Sequence, residues 1–237
     1  TTTLYAAINE LNKPDAKIIT AEDPVEYTIP GVNQSEINEK IGFSFPLVLR
    51  TMLRQDPNII MVGEIRDAET AETAIAAALT GHLVLSTLHT NDAPSSITRL
   101  IDMGIKPFLI ATSLQGVMAQ RLVRLICPNC KESVKYTPEQ LTEMGFEIEA
   151  LKDFTFYKGK GCKTCNNIGY YGRIGIYELL DMNETIREMT YRLASAVEIR
   201  KAARMSGMTI LKEDGLRKAK DGKITLDEVF RVTGIED

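Results

Sequence analysis

The chain lacks several features that would assign it to common classes of protein. No apolar stretch approaches the roughly 18 consecutive residues that a membrane-spanning helix needs, and no secretory signal peptide is visible. The formal net charge of −4 gives no overall basic field for nucleic acid, although a local basic channel would be hidden in such an average. At 237 residues the chain can hold one large domain or two smaller ones.

Cysteine is scarce but clearly patterned. The four cysteines form two Cys-x-x-Cys pairs, Cys127 with Cys130 and Cys162 with Cys165. Without an export signal, such pairs indicate a reducing compartment and a metal rather than disulfides. Two pairs supply the four corners of a tetrahedron, so we expect a structural Zn²⁺ site without an open position for substrate. Buried or redox-active cysteines are the alternative, and the long gap 131–161 indicates a subdomain between the pairs.

Helical and strand patterns alternate from Thr1 to about Arg124, which predicts a parallel α/β sheet. Beyond Glu178 the pattern is helical only. The predicted strands are Lys17–Thr20, Ile59–Val62 and Leu83–Thr87; the predicted helices begin near Leu4 and at Phe45–Leu53, Ala68–Leu79, Ala93–Met103 and Pro107–Leu125.

The segment Leu53–Asp67 carries the strongest functional signal. Ile59–Val62 is a short apolar run without alternation, which is typical of a parallel strand buried on both faces. Gly63, Glu64 and Arg66 follow, at the edge where open α/β sheets bind ligands. An acid that orders water and Mg²⁺, beside arginines that offset phosphoryl charge, suits nucleoside-triphosphate hydrolysis. A core strand followed by surface ion pairs is the alternative.

The chain opens with a threonine run that leads at once into a helical pattern. A phosphate-binding loop has the form Gly-x-x-x-x-Gly-Lys-Ser/Thr and also leads directly into a helix. Thr1 fits the last position of such a loop, with Thr2 beside it, although an ordinary helix N-cap explains the same residues. Because the lysine is absent, we expect this fragment alone to be inactive and the gene to encode Gly-x-x-x-x-Gly-Lys directly before Thr1.

An acidic segment follows the first predicted strand. Glu22, Asp23 and Glu26 place three carboxylates within five residues, and these repel one another unless a cation or ordered water compensates. A solvated acidic turn is the alternative.

The only two histidines flank the strand Leu83–Thr87. His89 follows it, in a position to touch a terminal phosphate or the attacking water, whereas His82 equally suits a helix cap. Because three polar loops follow three parallel strands, we expect Glu26, Glu64 and His89 to meet at one sheet edge.

Two further arginines precede the Ile59 strand. Arg50 and Arg54 are four residues apart, so a continuous helix would place them on one face, pointing towards Glu64 and Arg66. In ring-shaped ATPases such arginines reach the phosphate of a neighbouring subunit. Solvated helix arginines are the alternative.

Together these segments resemble the secretion ATPase superfamily, in particular the motor ATPases of type II secretion and type IV pilus assembly. The resemblance covers nearly the whole chain, and the four-cysteine element is similar to the assembly and secretion members rather than the retraction members. The matching motifs are the segment after the phosphate-loop lysine (Thr1–Tyr5), the aspartate box (Glu22–Tyr27), the Walker B region (Leu53–Asp67) and the histidine box (Thr80–Asn91).

The resemblance implies an α/β, RecA-like P-loop NTPase core that lacks its phosphate loop, with an inserted zinc subdomain and a helical C-terminal region. The corresponding ranges are 1–125, 126–177 and 178–237. It implies a cytoplasmic homo-hexamer that uses ATP and Mg²⁺, works with an inner-membrane platform protein and a cytoplasmic adaptor, and reaches the membrane only through them.

The resemblance also implies a role for each site residue. Thr1 would coordinate Mg²⁺, with Thr2 beside the nucleotide. Glu64 would orient water and Mg²⁺, and Glu26 or Glu22 would polarise the attacking water. His89 would sense the γ-phosphate, and Arg50, Arg54 and Arg66 would contact phosphate within the subunit or across subunits.

Two alternatives belong to other functional classes. One is a nucleic-acid-translocating motor on the same core, although the net charge leads us to expect no nucleic acid. The other is a non-catalytic, zinc-stabilised adaptor that lost its phosphate loop during evolution.

Overall fold

The computed structural model describes residues 1–147, 149, 151 and 154–234. The described helices are α1 (Thr2–Leu11), α2 (Phe45–Met52), α3 (Ala68–Leu79), α4 (Ala93–Asp102), α5 (Pro107–Ser113), α6 (Pro138–Glu143), α7 (Glu184–Tyr191), α8 (Ala196–Met205), α9 (Leu211–Lys220) and α10 (Leu226–Thr233). The described strands are β1 (Ile18–Glu22), β2 (Val32–Glu36), β3 (Ile59–Val62), β4 (Leu83–Ser86), β5 (Gly116–Ile126), β6 (Lys131–Val134), β7 (Phe156–Gly159) and β8 (Tyr170–Asp181). None of these helices is both long and apolar enough to cross a lipid bilayer.

The chain divides into two compact units. The first comprises Thr1–Val117 and Asp181–Ala202, and the second comprises Met118–Leu180 and the described residues from Ala203 onward. The candidate site described below belongs to the first unit, whereas the cysteine cluster belongs to the second.

A four-stranded parallel sheet organises the first unit, in the order β2-β1-β3-β4. Ile18 pairs with Ile59, which in turn pairs with Leu83, so β1, β3 and β4 end at the same edge. The predicted parallel α/β architecture is therefore confirmed. Because parallel strands all point the same way, the segments after their carboxyl ends are brought together.

The two faces of this sheet are covered by different helices. Ile19 and Ala21 of β1 pack with buried residues of α2 and α3, whereas Ile18 packs with Tyr5 and Ile8 of α1. This alternation follows from the two-residue period of a strand. Glu22 has the same parity as Ile18, so its side chain lies on the α1 face of the sheet.

The predicted helix Pro107–Leu125 is wrong beyond its first two turns. Helix α5 ends at Ser113, and Gly116–Ile126 forms strand β5, which pairs with β8. Burial along most of β5 alternates, with Ala119 and Val123 buried and Met118 and Leu122 exposed. That two-residue period is a strand pattern, and the helical prediction missed it.

Other corrections concern element ends. Strand β8 continues to Asp181, so the segment beyond Glu178 is not wholly helical. Strand β1 extends to Glu22, so this residue belongs to the sheet rather than to the acidic loop. Strand β2, which the sequence analysis did not predict, has the polar sequence Val32–Glu36 and pairs with β1 along the edge of the sheet.

Candidate active site

A cavity of about 340 Å³ opens where β1, β3 and β4 end. Its volume lies in the range typical of small-molecule sites. The predicted meeting of three distant polar segments is confirmed, because all three contribute to its walls. The polar residues that line it are Thr1, Glu22, Asp23, Glu26, Glu64, Arg66, Thr87 and His89.

Glu64 occupies the centre of this constellation. Its side chain is 13% exposed, and its Oε2 accepts a hydrogen bond from Nε of Arg66 at 2.6 Å. Nε2 of His89 lies 3.1 Å from the same oxygen. Burial raises the pKa of Glu64, but the hydrogen bonds from Arg66 and His89 outweigh it and lower the pKa below its ordinary value. The carboxylate is therefore ionised at neutral pH and faces the cavity.

Backbone contacts fix the strand tips around Glu64. The Gly63 N–H donates to the carbonyl of Ala21 at 2.7 Å, and a Cβ on Gly63 would lie 3.2 Å from that oxygen. Glycine therefore permits this close approach to β1. On the other side, the Thr87 hydroxyl donates to the Gly63 carbonyl at 2.7 Å, and the Ile65 N–H donates to the Thr87 carbonyl at 3.0 Å. These bonds hold the tips of β3 and β4 together.

Glu22 is buried, at 2% exposure, although it lines the cavity. Its Oε1 accepts from the Thr20 hydroxyl at 2.5 Å and from Nε2 of Gln34 at 3.0 Å. Its Oε2 accepts a hydrogen bond from the Tyr5 hydroxyl. Donors on α1, β1 and β2 thus satisfy both carboxylate oxygens within the fold, as a buried carboxylate requires.

Glu26 is exposed and belongs to the segment between β1 and β2. Its backbone N–H donates to the Tyr5 hydroxyl at 3.1 Å, and the residue is one of those that line the cavity. The side chains of Glu22 and Glu26 therefore differ in environment: the first is enclosed in a hydrogen-bond network, and the second faces solvent at the site.

Thr1 stands at the N-terminus of α1, on the wall of the cavity. Its carbonyl accepts from the Tyr5 N–H at 3.0 Å, but its side chain makes no capping hydrogen bond. Thr1 thus occupies the N-cap position, as the alternative expected, but without the side-chain hydrogen bond of an ordinary N-cap. Thr2, the first residue of α1, does not line the cavity.

Arg50 and Arg54 do not line this cavity. Helix α2 ends at Met52, and Arg54 lies in the following 3₁₀ turn, so the prediction of one continuous helical face is wrong. Nη1 of Arg50 pairs with Oε1 of Glu69 at 2.6 Å, with both side chains more than half exposed.

His82 also lies away from the cavity. Its Nδ1 is 2.9 Å from the carbonyl of Ala77 and 3.1 Å from the hydroxyl of Thr80, at the end of α3. This geometry matches the helix-cap alternative rather than a role at the site.

The oxygen-rich walls fit the chemistry of a nucleotide with Mg²⁺. Hard cations prefer carboxylate, hydroxyl and water oxygens, which Thr1, Glu64 and Glu26 provide here. The N-terminus of α1 offers backbone N–H groups to an anion, and Arg66 and His89 add donors. The cavity therefore presents groups that complement both a phosphate and its cation.

The second unit holds a separate cluster of four thiols. The Sγ atoms of Cys127, Cys130, Cys162 and Cys165 all lie within 4.8 Å of one another. Three of these separations are 3.8, 3.8 and 3.7 Å. Sulfurs bound tetrahedrally to Zn²⁺ at about 2.3 Å lie about 3.8 Å apart, so the cluster fits zinc.

Backbone N–H groups support these thiols. Cys165 Sγ accepts from the N–H groups of Cys162 at 3.2 Å and Gly169 at 3.3 Å, and Cys130 Sγ accepts from Gly161 at 3.3 Å. Burial raises the pKa of Cys165, but these two N–H donors, together with the thiols of Cys162 and Cys130, outweigh it and lower the pKa to about 6. Burial dominates at Cys130 and raises its pKa despite the Gly161 donor. The N–H donors favour the thiolate form that binds metal.

Tyr5 and Gln34 are the site residues that the sequence analysis missed as such. Tyr5 lies in α1, a helix that was predicted from its sequence pattern without a role for Tyr5. Gln34 lies in β2, a strand that was not predicted. A buried acid at the end of an apolar strand requires donors, so the carboxylate of Glu22 was itself a signal that polar partners had to exist.

The sequence profile of the "Type II/IV secretion system protein" family matches residues 1–231. The chain is 50% identical over 230 residues to the type IV pilus assembly ATPase PilB of Myxococcus xanthus, covering 97% of this chain and 41% of that protein. It is 48% identical to the type II secretion system protein E of Pseudomonas aeruginosa, covering 98% and 46%. The chain therefore spans less than half the length of these curated relatives.

Among solved structures, the pilus retraction motor PilT with bound ADP has a similar fold. It superposes with a TM-score of 0.71 at 30% identity, covering 98% of this chain and 57% of that chain. The match over most of the chain identifies the fold and the family together. This chain belongs to the type II/IV secretion system protein family.

Proposed function

We propose that the protein containing this chain is an ATP-hydrolysing motor of a type II secretion or type IV pilus assembly system. The observation that carries the proposal is Glu64, an ionised carboxylate contacted by Arg66 and His89 in a cavity that also includes Thr1. Similarity to a pilus assembly ATPase and to a secretion protein E supports the same conclusion.

Each residue has a role that follows from its position. Arg66 and His89 hold Glu64 in place, and Glu64 would orient water and help to hold Mg²⁺. Thr1 would supply a hydroxyl ligand for that cation, which would neutralise phosphate charge. Glu26 is the solvent-facing acid, so we assign it rather than the enclosed Glu22 to polarise the attacking water.

Hydrolysis of a nucleoside triphosphate requires little covalent chemistry from the protein. Positioning and charge stabilisation supply most of the acceleration. The cavity provides both, because its lining residues lie near the N-terminus of α1, at the ends of β1 and β3, and in the segments that follow β1, β3 and β4, which the parallel sheet brings together. Binding of ATP at the N-terminus of α1 would place the terminal phosphate near Glu64.

We further propose that the motor is a cytoplasmic homo-hexamer, docked to an inner-membrane platform protein and a cytoplasmic adaptor. Exposed arginines outside the cavity, Arg50 and Arg54, suit a phosphate contact from a neighbouring subunit. The four-cysteine cluster, for which we propose a structural Zn²⁺, favours the assembly and secretion members over the retraction members.

The test is ATP turnover by the gene product that contains this chain. We expect Glu64→Gln to bind ATP with near-normal affinity and to hydrolyse it at least about a hundredfold more slowly, because an oriented acid is lost. Glu72→Gln is the matched control, since Glu72 is an exposed acid on α3. This variant should hydrolyse ATP at the normal rate. Normal turnover by Glu64→Gln would remove Glu64 from the mechanism and with it the proposal.

A further inference from the structure

We infer that Tyr5 is a positioning residue, whose hydroxyl holds the loop carrying Glu26 against the helix that begins at Thr1. This inference rests on the proposed function, because it concerns how Glu26 is placed for that reaction. It goes beyond the motifs discussed above, in which Tyr5 has no chemical role.

The Tyr5 hydroxyl makes contacts on two sides. It donates to Oε2 of the buried Glu22 and accepts from the backbone N–H of Glu26 at 3.1 Å. Since a phenol hydroxyl both donates and accepts, one group joins the enclosed acid to the exposed one. The donation to Glu22 fixes the direction of the hydroxyl, so its acceptor side receives the Glu26 N–H and, at the longer distance of 3.4 Å, Nε2 of Gln34.

Side chains, rather than a sheet ladder, hold the segment between β1 and β2. The Val25 N–H donates to Oε2 of Glu36 at 3.2 Å, and the Ile29 N–H donates to Oε1 of Gln34 at 2.7 Å. Both of these acceptors lie on β2. Tyr5 is the member of this set that belongs to α1, so it links the loop to the helix end where a phosphate would bind.

The ring of Tyr5 strengthens this link without replacing it. Tyr5 is fully buried in the cluster that includes Ile8 and Met61, and its ring centroid lies 4.5 Å from that of Tyr27 in the same loop. The ring therefore anchors the residue in the core, while the hydroxyl supplies the directional contact. The substitution Tyr5→Phe would keep the packing of the ring and lose the hydrogen bonds of the hydroxyl.

A general base contributes only when its geometry is productive, and a misplacement of about 1 Å costs on the order of a hundredfold in rate. Loss of the Tyr5 hydroxyl removes a hydrogen bond from the backbone of Glu26, whereas the contacts described for that hydroxyl do not include Thr1 or Arg66. The effect should therefore fall on the chemical step rather than on nucleotide binding.

The experiment compares steady-state ATP hydrolysis by variants of the gene product that contains this chain. For Tyr5→Phe we expect kcat to fall about tenfold or more while KM for ATP stays within about twofold. Tyr27→Phe is the matched control, because it removes the hydroxyl of an exposed tyrosine in the same loop and should keep kcat within about twofold. A Tyr5→Phe enzyme with normal kcat would overturn the inference.

A second pair of variants separates positioning from simple stability. Tyr5→Phe leaves the buried Glu22 carboxylate short of one donor, which by itself destabilises the fold. In Glu22→Gln/Tyr5→Phe no buried charge remains uncompensated, so we expect the fold to be restored and kcat to stay about tenfold below that of Glu22→Gln alone. Equal kcat in these two proteins would overturn the inference.

The remaining outcomes are also decisive. An inactive Glu22→Gln variant would place Glu22 itself in the chemistry, and a fully active Glu26→Gln variant would leave nothing for Tyr5 to position. Either result overturns the inference while the proposed ATPase survives. Failure of the unaltered protein to hydrolyse ATP would instead overturn the proposed function.

Discussion

Nε2 of His89 lies 3.1 Å from Oε2 of Glu64, a residue 25 positions away in the sequence. The two side chains differ sharply in environment, since that of His89 is 80% exposed and that of Glu64 only 13%. The acid is ionised, so this contact orients the imidazole with its proton on Nε2. A side-chain hydrogen bond therefore joins the segment after β4 to the segment after β3, in addition to their packing.

The first prediction concerns the pKa of Glu64. Burial raises it, and the hydrogen bonds from Arg66 and His89 lower it by more, so removing Arg66 should raise the Glu64 pKa. We expect Arg66→Ala to move the carboxyl titration upward, as followed by carbon-detected NMR of labelled glutamate in the nucleotide-free protein. The control Arg50→Ala removes an arginine that pairs with Glu69 instead. It should leave the pKa of Glu64 unchanged. A downward movement in Arg66→Ala would contradict this electrostatic account.

The second prediction concerns the cysteine cluster. Metal analysis of the purified protein should give about one zinc per chain, because a closed four-thiolate site binds one ion. Cys130→Ser should lose the metal and melt at a lower temperature, since zinc binding contributes directly to folding free energy. Lys163→Ala, between Cys162 and Cys165, keeps all four thiols and should retain zinc. Metal-free protein with an unchanged melting temperature would refute the site.

The parallel sheet and its active edge were predictable because they depend on short-range patterns. The apolar run Ile59–Val62 and the following Glu64 predicted a buried strand with an acid at its tip, and the structure has this arrangement. Strand β5 was mispredicted because Met118, Leu122 and Leu125 recur at i, i+4 and i+7, which is the spacing of an amphipathic helix. Pairing with β8, a long-range contact, decides between them.

The environments and hydrogen-bond partners of the individual site residues were not predictable from the sequence alone. Nothing local distinguishes Glu22 from Glu26, yet one is enclosed and the other exposed. The difference arises because β1 extends to Glu22 and turns its side chain towards Tyr5 on α1. Likewise, Arg50 and Arg54 have helical spacing, but α2 ends between them and Arg54 belongs to the 3₁₀ turn that follows.

The third prediction tests whether Arg54 acts on a neighbouring subunit. It is exposed and outside the cavity of its own chain, so Arg54→Ala should leave nucleotide binding intact and lower the ATPase rate of the assembled oligomer by up to about 10³-fold. Mixing Arg54→Ala subunits with Glu64→Gln subunits is the sharper measurement. Action across subunits predicts partial recovery, because some interfaces then combine an intact Glu64 with an intact Arg54. Mixtures no more active than either variant alone would contradict it.

The fourth prediction concerns Glu228, a carboxylate in the second unit that is 1% exposed. It accepts hydrogen bonds from Nε and Nη2 of Arg124 at 3.0 and 2.6 Å, and from Nε and Nη2 of Arg231 at 2.8 and 2.9 Å. Burial raises its pKa, but the two arginines outweigh burial and lower the pKa to about 2. The side chains of Arg124 and Arg231 are about half exposed and become solvated when the carboxylate is lost, so Glu228→Gln should cost about 2 kcal/mol of unfolding free energy at pH 7 through the lost charge-assisted hydrogen bonds.

The sign of its pH dependence follows from this lowered pKa. The stability that Glu228 contributes is fully present above its ordinary pKa of 4.5 and is lost as the pH falls towards about 2. Urea unfolding of the wild type and Glu228→Gln should therefore differ most near neutral pH and converge in acid. Glu213→Gln is the control, since its pair with Arg204 is solvent-exposed on both sides and should be worth less than about 1 kcal/mol at any pH. The difference in unfolding free energy between wild type and Glu228→Gln should not widen in acid. If it does, the arginines do not hold this carboxylate ionised.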